Sequence, residues 1–299
     1  FNKYLFLSVT GRNDWFSTLN PNTNNIFYPS FGLSYVLSQS VQLPAWISYA
    51  KLRGAWAKTG SDASVAPYSQ ALSYGFGNTY MGHATAYVSS GGIPNTLLQP
   101  AVTRSWEAGF DAKFLQNRIG VDFTVYNRLT SNDILTSQIS ATSGFGSVSL
   151  NTGKMRNTGV ELLLTGTPVR YGKTSWDMSF NLGYNKNRVL ELVDGQDLIV
   201  MQQSRPGLYS DGGVPAYINA EVGQPLGIIT GYTYKRDDKG NIIYNDQGFP
   251  VRGDIAKLGN SVPPLTMGFN NEFRYGSLFA SILVDTKFGG KISYGTNNL

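Results

Sequence analysis

Residues 105–127 constrain this chain more than any other stretch. Trp106, Ala108, Phe110, Ala112 and Phe114 alternate with Ser105, Glu107, Gly109, Asp111 and Lys113. After a short break, Ile119, Val121, Phe123 and Val125 alternate with Gly120, Asp122, Thr124 and Tyr126. A period of two over such lengths marks two strands with unlike faces. With Gln116 and Asn117 as a two-residue loop, Phe114 falls opposite Ile119, Ala112 opposite Val121, Phe110 opposite Phe123 and Ala108 opposite Val125. That register gathers the apolar residues on one face and the polar ones on the other. Each strand is about ten residues, longer than the usual globular five or six and close to the roughly nine to eleven that cross a bilayer at a tilt. The same register sets Asp111 against Asp122, a pair that repels unless well hydrated. An apolar face toward lipid and a charged face toward a wet lumen satisfy both observations. The hairpin predicts an all-β chain, a transmembrane antiparallel β-barrel.

Composition agrees where it bears on this. Charged residues are only 14% of the chain, against about a quarter in ordinary soluble domains. Aromatics reach 13%, with 18 Tyr and 34 Gly, which favours strands and turns over helices. The sequence contains no apolar run of the roughly 18 residues that a membrane helix needs, and a barrel needs none, since only alternate residues meet lipid. The net charge of +5 is scattered along the chain. Without a dense basic stripe, nucleic acid is not an expected partner. Cysteine is absent, which excludes disulfides, thiolate zinc sites and a cysteine nucleophile.

Further strands are expected over 4–15, 28–38, 47–59, 157–167, 176–184, 267–275 and 278–285. Long loops are expected over 60–100, 129–153 and 187–264, the last holding a small hairpin around the turn from Asp237 to Asn241. Tight turns after Phe114, Thr167 and Tyr275 thus alternate with long loops, and Gly276 with Ser277 suits a type II′ turn. Outer-membrane barrels have short periplasmic turns and long extracellular loops. Trp106, Phe114, Trp176, Tyr184 and Tyr275 stand at strand ends, where interfacial aromatic girdles form. Asn271 interrupts the apolar parity of its strand.

Catalytic chemistry finds little support. His83 is the sole histidine, so a triad or a histidine metal site would rest on it alone. Gly172, Lys173 and Thr174 end like a phosphate-binding loop but join two strands and lack the upstream glycine. Residues 237–248 have the composition of a calcium loop without its spacing. No catalytic residue, metal site or cofactor is expected. Candidate substrate contacts lie in the long loops: Tyr80, His83, Tyr87, Tyr209, Asp211 and Tyr217. The tyrosines can stack on sugars, contact a peptide, or simply pack loop against loop.

Several phrases resemble the SusC/RagA-like family of TonB-dependent outer-membrane transporters. They include Gly11-Arg12-Asn13-Asp14-Trp15, the run from Phe27 to Ser34, and Lys51 to Gly60. Trp106 to Asp111, Gly153 to Leu162, Glu221 to Gly227, and Phe288-Gly289-Gly290 continue the pattern in the family's order. These are scaffold motifs. The resemblance implies a barrel of about 22 strands closed by an N-terminal plug. Residues 1–299 read as part of that barrel domain, truncated at both ends, with the plug and TonB box absent. It further implies localisation to the outer membrane of a Gram-negative bacterium and import of oligosaccharides, peptides or other large nutrients. The implied partners are outer-membrane lipid, a SusD-like surface lipoprotein lid, and the TonB complex acting through the missing N-terminal part. An adhesin or structural barrel, or a barrel hydrolase, is the alternative; the chain is not expected to be an enzyme.

Overall fold

The computed structural model describes residues 3–62, 65–193, 195–203 and 216–292, the side chains of residues 137, 138 and 141 excepted. Its strands are β1 (Leu5–Trp15), β2 (Asn25–Val36), β3 (Ile47–Ser61), β4 (Tyr74–Phe76), β5 (Ala86–Val88), β6 (Gly92–Ile93), β7 (Ala101–Phe114) and β8 (Ile119–Gln138). They continue with β9 (Ser147–Tyr171), β10 (Thr174–Glu191), β11 (Leu198–Gln203), β12 (Tyr217–Glu221), β13 (Ile228–Tyr234), β14 (Arg252–Asn260), β15 (Leu265–Tyr275) and β16 (Leu278–Phe288).

Nine of these form an antiparallel wall in the order β1-β2-β3-β7-β8-β9-β10-β15-β16, open at both edges, to which β6 adds a short parallel pairing with β9. The central hairpin has the expected register, with Phe114 opposite Ile119, Phe110 opposite Phe123 and Ala108 opposite Val125. The connection differs from the expected two-residue loop: Leu115, Gln116 and Asn117 all take positive φ, of 51°, 58° and 65°, and the Arg118 amide closes the turn onto the Leu115 carbonyl at 3.2 Å. Gly172 (φ 55°) and Gly276 (φ 57°) open the other two tight turns, as type II′ geometry requires.

Rows of apolar side chains cross the wall on one face. One runs Leu52, Phe110, Phe123, Leu162, Leu182, Met267. Aromatic pairs sit at its margins. Trp46 stacks on Phe114 at 5.6 Å and Trp176 on Phe273 at 5.5 Å toward the short turns. Toward the long loops, Trp56 and Trp106 are direct partners. From Trp106 to Phe114 the strand advances about 26 Å, or roughly 20 Å at a barrel tilt, comparable to the apolar band of a membrane barrel. Asn271 stands on this face because Trp176 Nε1 donates to its Oδ1 at 3.2 Å, so each satisfies the other's polar atom.

The loops depart from the sequence reading. Over 129–153 the chain stays in the wall: β8 runs on to Gln138 and β9 begins at Ser147, leaving residues 139–146 as the connection. Register shifts on either side of Asp133, beside Asn132 at φ 57°, break the alternation there. Such bulges erase the period-two signal while the backbone ladder continues. β10 likewise extends to Glu191. The stretch 60–100 contains the β4–β5 hairpin, and 187–264 contains the sheet β11-β12-β13-β14. The expected turn is present: Asp237 Oδ1 accepts from the Lys239 and Asn241 amides at 2.9 and 2.8 Å. A wall one sheet thick has no interior, so the buried clusters lie at the long-loop end. One joins Leu19, Val65, Leu98 and Ile134; the other joins Val189, Leu192 and Ala220.

Candidate functional site

The polar face of the wall carries a ladder of charge. Lys51, Asp111 and Asp122 stand side by side on β3, β7 and β8. Lys51 Nζ lies 3.5 Å from Asp111. Arg53 sends Nη1 and Nη2 to the two Asp122 oxygens at 3.0 and 2.5 Å, and Nη2 also donates to Thr124 at 2.6 Å. To reach β8 its side chain must cross β7, and it does so at Gly109, its direct partner. A Cβ at Gly109 would collide with the Phe123 carbonyl oxygen and lie 3.3 Å from Arg53 Nε, so only glycine admits this crossing.

Toward the long loops the ladder becomes a hydrogen-bond network. Arg128 pairs with Glu107 at 3.2 Å and lies 5.0 Å over the Tyr126 ring. Tyr126 covers Gly159 and donates to Asn185 Oδ1 at 3.3 Å. Asn185 and Asn187, two apart on β10, both donate to Asn157 Oδ1, at 3.1 and 2.8 Å. Asn187 Oδ1 in turn accepts from the Leu226 amide at 2.8 Å. Four side chains thereby tie the wall to the sheet above it.

Between the extended strands and that sheet lies a pocket of about 420 Å³. Its lining is aliphatic, with Leu135, Met155, Val189, Ile199, Val200 and Leu226. Met155 and Val189 are cross-strand partners on the parity of the polar face, so the pocket continues that face outward. Lys154 and Glu191, paired at 2.9 Å, mark its edge. Asp133 also lines it; burial raises its carboxyl pKa above the ordinary value, against a smaller opposing effect of the Ile134 amide.

The residues singled out in the loops separate. Tyr80 and His83 close the tip of the β4–β5 hairpin, each amide donating to the other's carbonyl at 2.9 Å around Met81 and Gly82. Tyr87 sits on β5 over Gly75. Together with Tyr74 and Phe76 they present an exposed aromatic hairpin. Tyr217 is elsewhere, half-buried on β12 opposite Thr230. Tyr209 and Asp211 lie outside the described residues. Sequence reasoning did not single out Asn157, Asn185, Asn187 or the aliphatic pocket. The only signal was asparagine at alternate positions of one strand.

A family model described as TonB dependent receptor-like, beta-barrel, matches residues 1–298. The chain belongs to this family. This TonB-dependent receptor barrel is 25% identical, over 97% of its length, to TonB-dependent receptor P3 of Formosa agariphila, of which it covers 31%. It is 28% identical over 66% of its length to TonB-dependent receptor SusC of Bacteroides thetaiotaomicron, covering 20% of that protein. Among solved structures, the RagAB peptide transporter matches 97% of the chain with a TM-score of 0.80 at 21% identity, over 32% of the matched chain, a likeness of fold. The chain therefore spans about a third or less of the length of these relatives. The SusC/RagA resemblance carried by its sequence phrases agrees with both comparisons, and TonB-dependent receptor barrels are outer-membrane proteins.

Proposed function

We propose that this chain is part of the barrel wall of an outer-membrane transporter that imports large nutrients, energised through TonB and capped by a SusD-like lipoprotein. It does no covalent chemistry of its own. The observation that carries this reading is the unlike character of the two faces. One is an apolar band edged by aromatics; the other is a polar ladder from Lys51 and Asp122 to Asn187. A fixed polar surface inside a barrel holds and passes a polar solute, as a lipid-facing wall cannot.

The aliphatic pocket favours peptides as cargo. Leu135, Val189, Ile199 and Leu226 suit an apolar side chain, whereas sugar rings favour flat aromatic faces. The Lys154–Glu191 pair at its edge suits the polar backbone on either side of such a residue. Oligosaccharides are the second reading, favoured by the exposed Tyr74, Phe76, Tyr80 and Tyr87 of the β4–β5 hairpin. Deleting the whole transporter and measuring growth on peptides and on glycans as sole nutrients tests import; unchanged growth on all of them overturns it. Met201→Trp, at the exposed side of the pocket, is expected to slow peptide uptake severalfold and to spare glycan uptake. Loss of glycan growth alone would select the second reading.

A further inference from the structure

The apolar face is not uniformly convex. Near the short turns a groove of about 490 Å³ is let into it between β8, β9 and β10. Its cause is a single position. The row that crosses the wall at this level reads Ile119, Gly166, Met178, with glycine where the rows on either side carry large side chains. A Cβ at Gly166 would come only to 3.4 Å of Met178 Cγ, so the site tolerates a side chain sterically, and the hollow follows from the residue's absence. The register shift between Trp176 and Met178 deepens the irregularity, because Thr167, Pro168 and Asp177 have no partners between β9 and β10 there. Leu164, Met178, Phe180 and Phe269 form the floor and sides, and Pro168 and Leu115 the end toward the turns.

At that end is Arg118, in the β7–β8 turn and exposed. Asp177, on the opposite parity of β10 from Met178, is engaged elsewhere: it accepts from Thr167 Oγ1 at 2.6 Å and lies 3.9 Å from Arg170. No hydrogen bond or ion pair holds the Arg118 guanidinium among the described residues. The stacked Trp176–Phe273 and Trp46–Phe114 pairs set this level as the interface between hydrocarbon and headgroups. An apolar groove that runs from hydrocarbon to this level and ends on an unpaired guanidinium has the two halves of a phospholipid's chemistry, an acyl chain and a phosphate.

We infer that this groove holds one ordered phospholipid from the leaflet on the short-turn side, its acyl chain over Gly166 and its phosphate on Arg118. The inference rests on the membrane orientation of the wall and not on what the transporter carries. Charge complementarity and continuity with the lipid-facing band select this occupant, because a cavity opening onto hydrocarbon fills with hydrocarbon, and the cation then fixes which end enters.

Native mass spectrometry of the full-length transporter, stripped of lipid in detergent and titrated with dioleoylphosphatidylglycerol, tests this. The expected result is one tightly held lipid per protein. Gly166→Leu, which fills the groove, and Arg118→Ala, which removes the cation, should each weaken retention about tenfold while uptake of nutrient stays at the native level. Dioleoylglycerol, lacking phosphate, and glycerophosphate, lacking chains, should both bind at least tenfold more weakly than the intact lipid. Equal retention by native protein and both variants overturns the inference, as does dioleoylglycerol binding as tightly as the phospholipid. Intact nutrient uptake in a variant that has lost its lipid separates this result from any failure of the transport reading.

Discussion

Asp111 stands directly opposite Asp122 on the polar face, and each is matched by a cation from β3: Lys51 3.5 Å from Asp111, Arg53 2.5 Å from Asp122. Cross-strand like charges repel, and here two strands of acid–acid pairing are compensated by a third. The Arg53 and Asp122 side chains are 32% and 38% exposed, so screening reduces the attraction.

Arg53→Met is expected to destabilise the barrel by about 1 kcal/mol, the value of a charge-assisted pair discounted for this exposure. Asp122→Asn in the same background should recover most of the loss, because it removes the acid–acid repulsion that Arg53 offsets. Urea unfolding of the full-length protein in lipid vesicles reads both; simple additivity of the two losses would count against the coupling.

Gly109→Val should cost more than Arg53→Met, about 1–3 kcal/mol, because its Cβ meets backbone that cannot yield. The same unfolding measurement ranks the two variants, and a neutral Gly109→Val would show that Arg53 does not cross there.

Phe110→Asp should cost about 2 kcal/mol, since the proposed orientation sets this exposed residue against lipid near mid-depth, where acidic residues are milder than Arg. Asp111→Asn, one residue on, should cost a few tenths of that on a hydrated face. Folding efficiency into vesicles compares them, and the reverse ranking would invert the assignment of faces.

Asn271→Leu should destabilise by about 1 kcal/mol despite making the face more apolar, because the Trp176 N–H loses its acceptor at the membrane interface. Trp176→Phe combined with Asn271→Leu should restore near-native stability. A double variant as weak as the single would mean that the indole finds another partner.

The turn at Asp237 gives a pH dependence with a defined sign. The Asn241 side chain, then the Asn241 amide, with smaller contributions from Lys239 and Gly240, holds this carboxyl below its ordinary 3.8. A folded value below the unfolded one means the turn's stabilisation is complete above about 3.8 and is lost as pH falls through the depressed value. Amide hydrogen exchange at Asn241, corrected for its intrinsic pH dependence, should lose protection only in that acid range. Asp237→Asn keeps an acceptor oxygen and should abolish the dependence; an unchanged profile would place its origin elsewhere.

How much could be read from the sequence varied with periodicity. The wall from Tyr28 through Asp285 was legible wherever one face is apolar, since a strand between lipid and water repeats its chemistry every second residue. Turn chemistry was legible too, at Gly276 and at Asp237, because φ > 0 and Asx hydrogen bonding are local. The extension of β8 past Leu129 was not, because the bulge at Asp133 shifts parity and both faces there meet water or protein. Of the candidate contacts, Tyr80, His83 and Tyr87 were found as neighbours on one hairpin, while Tyr217 packs in a different sheet.

The sequence alone determined which side chains share a face, the register of the hairpin at 105–127, and the opposition of Asp111 to Asp122. These follow from strand periodicity and a short turn, and need no knowledge of distant residues. Only the tertiary structure decided what answers those carboxylates, because Arg53 is brought to Asp122 by pairing across β7 and past Gly109, 69 residues apart in the chain. It likewise decided that Asn157, Asn185 and Asn187 form one network, and that an aliphatic pocket and a groove over Gly166 exist at all. Neighbouring strands set their stagger by long-range hydrogen bonding, and cavities are properties of several strands together, which no local pattern encodes.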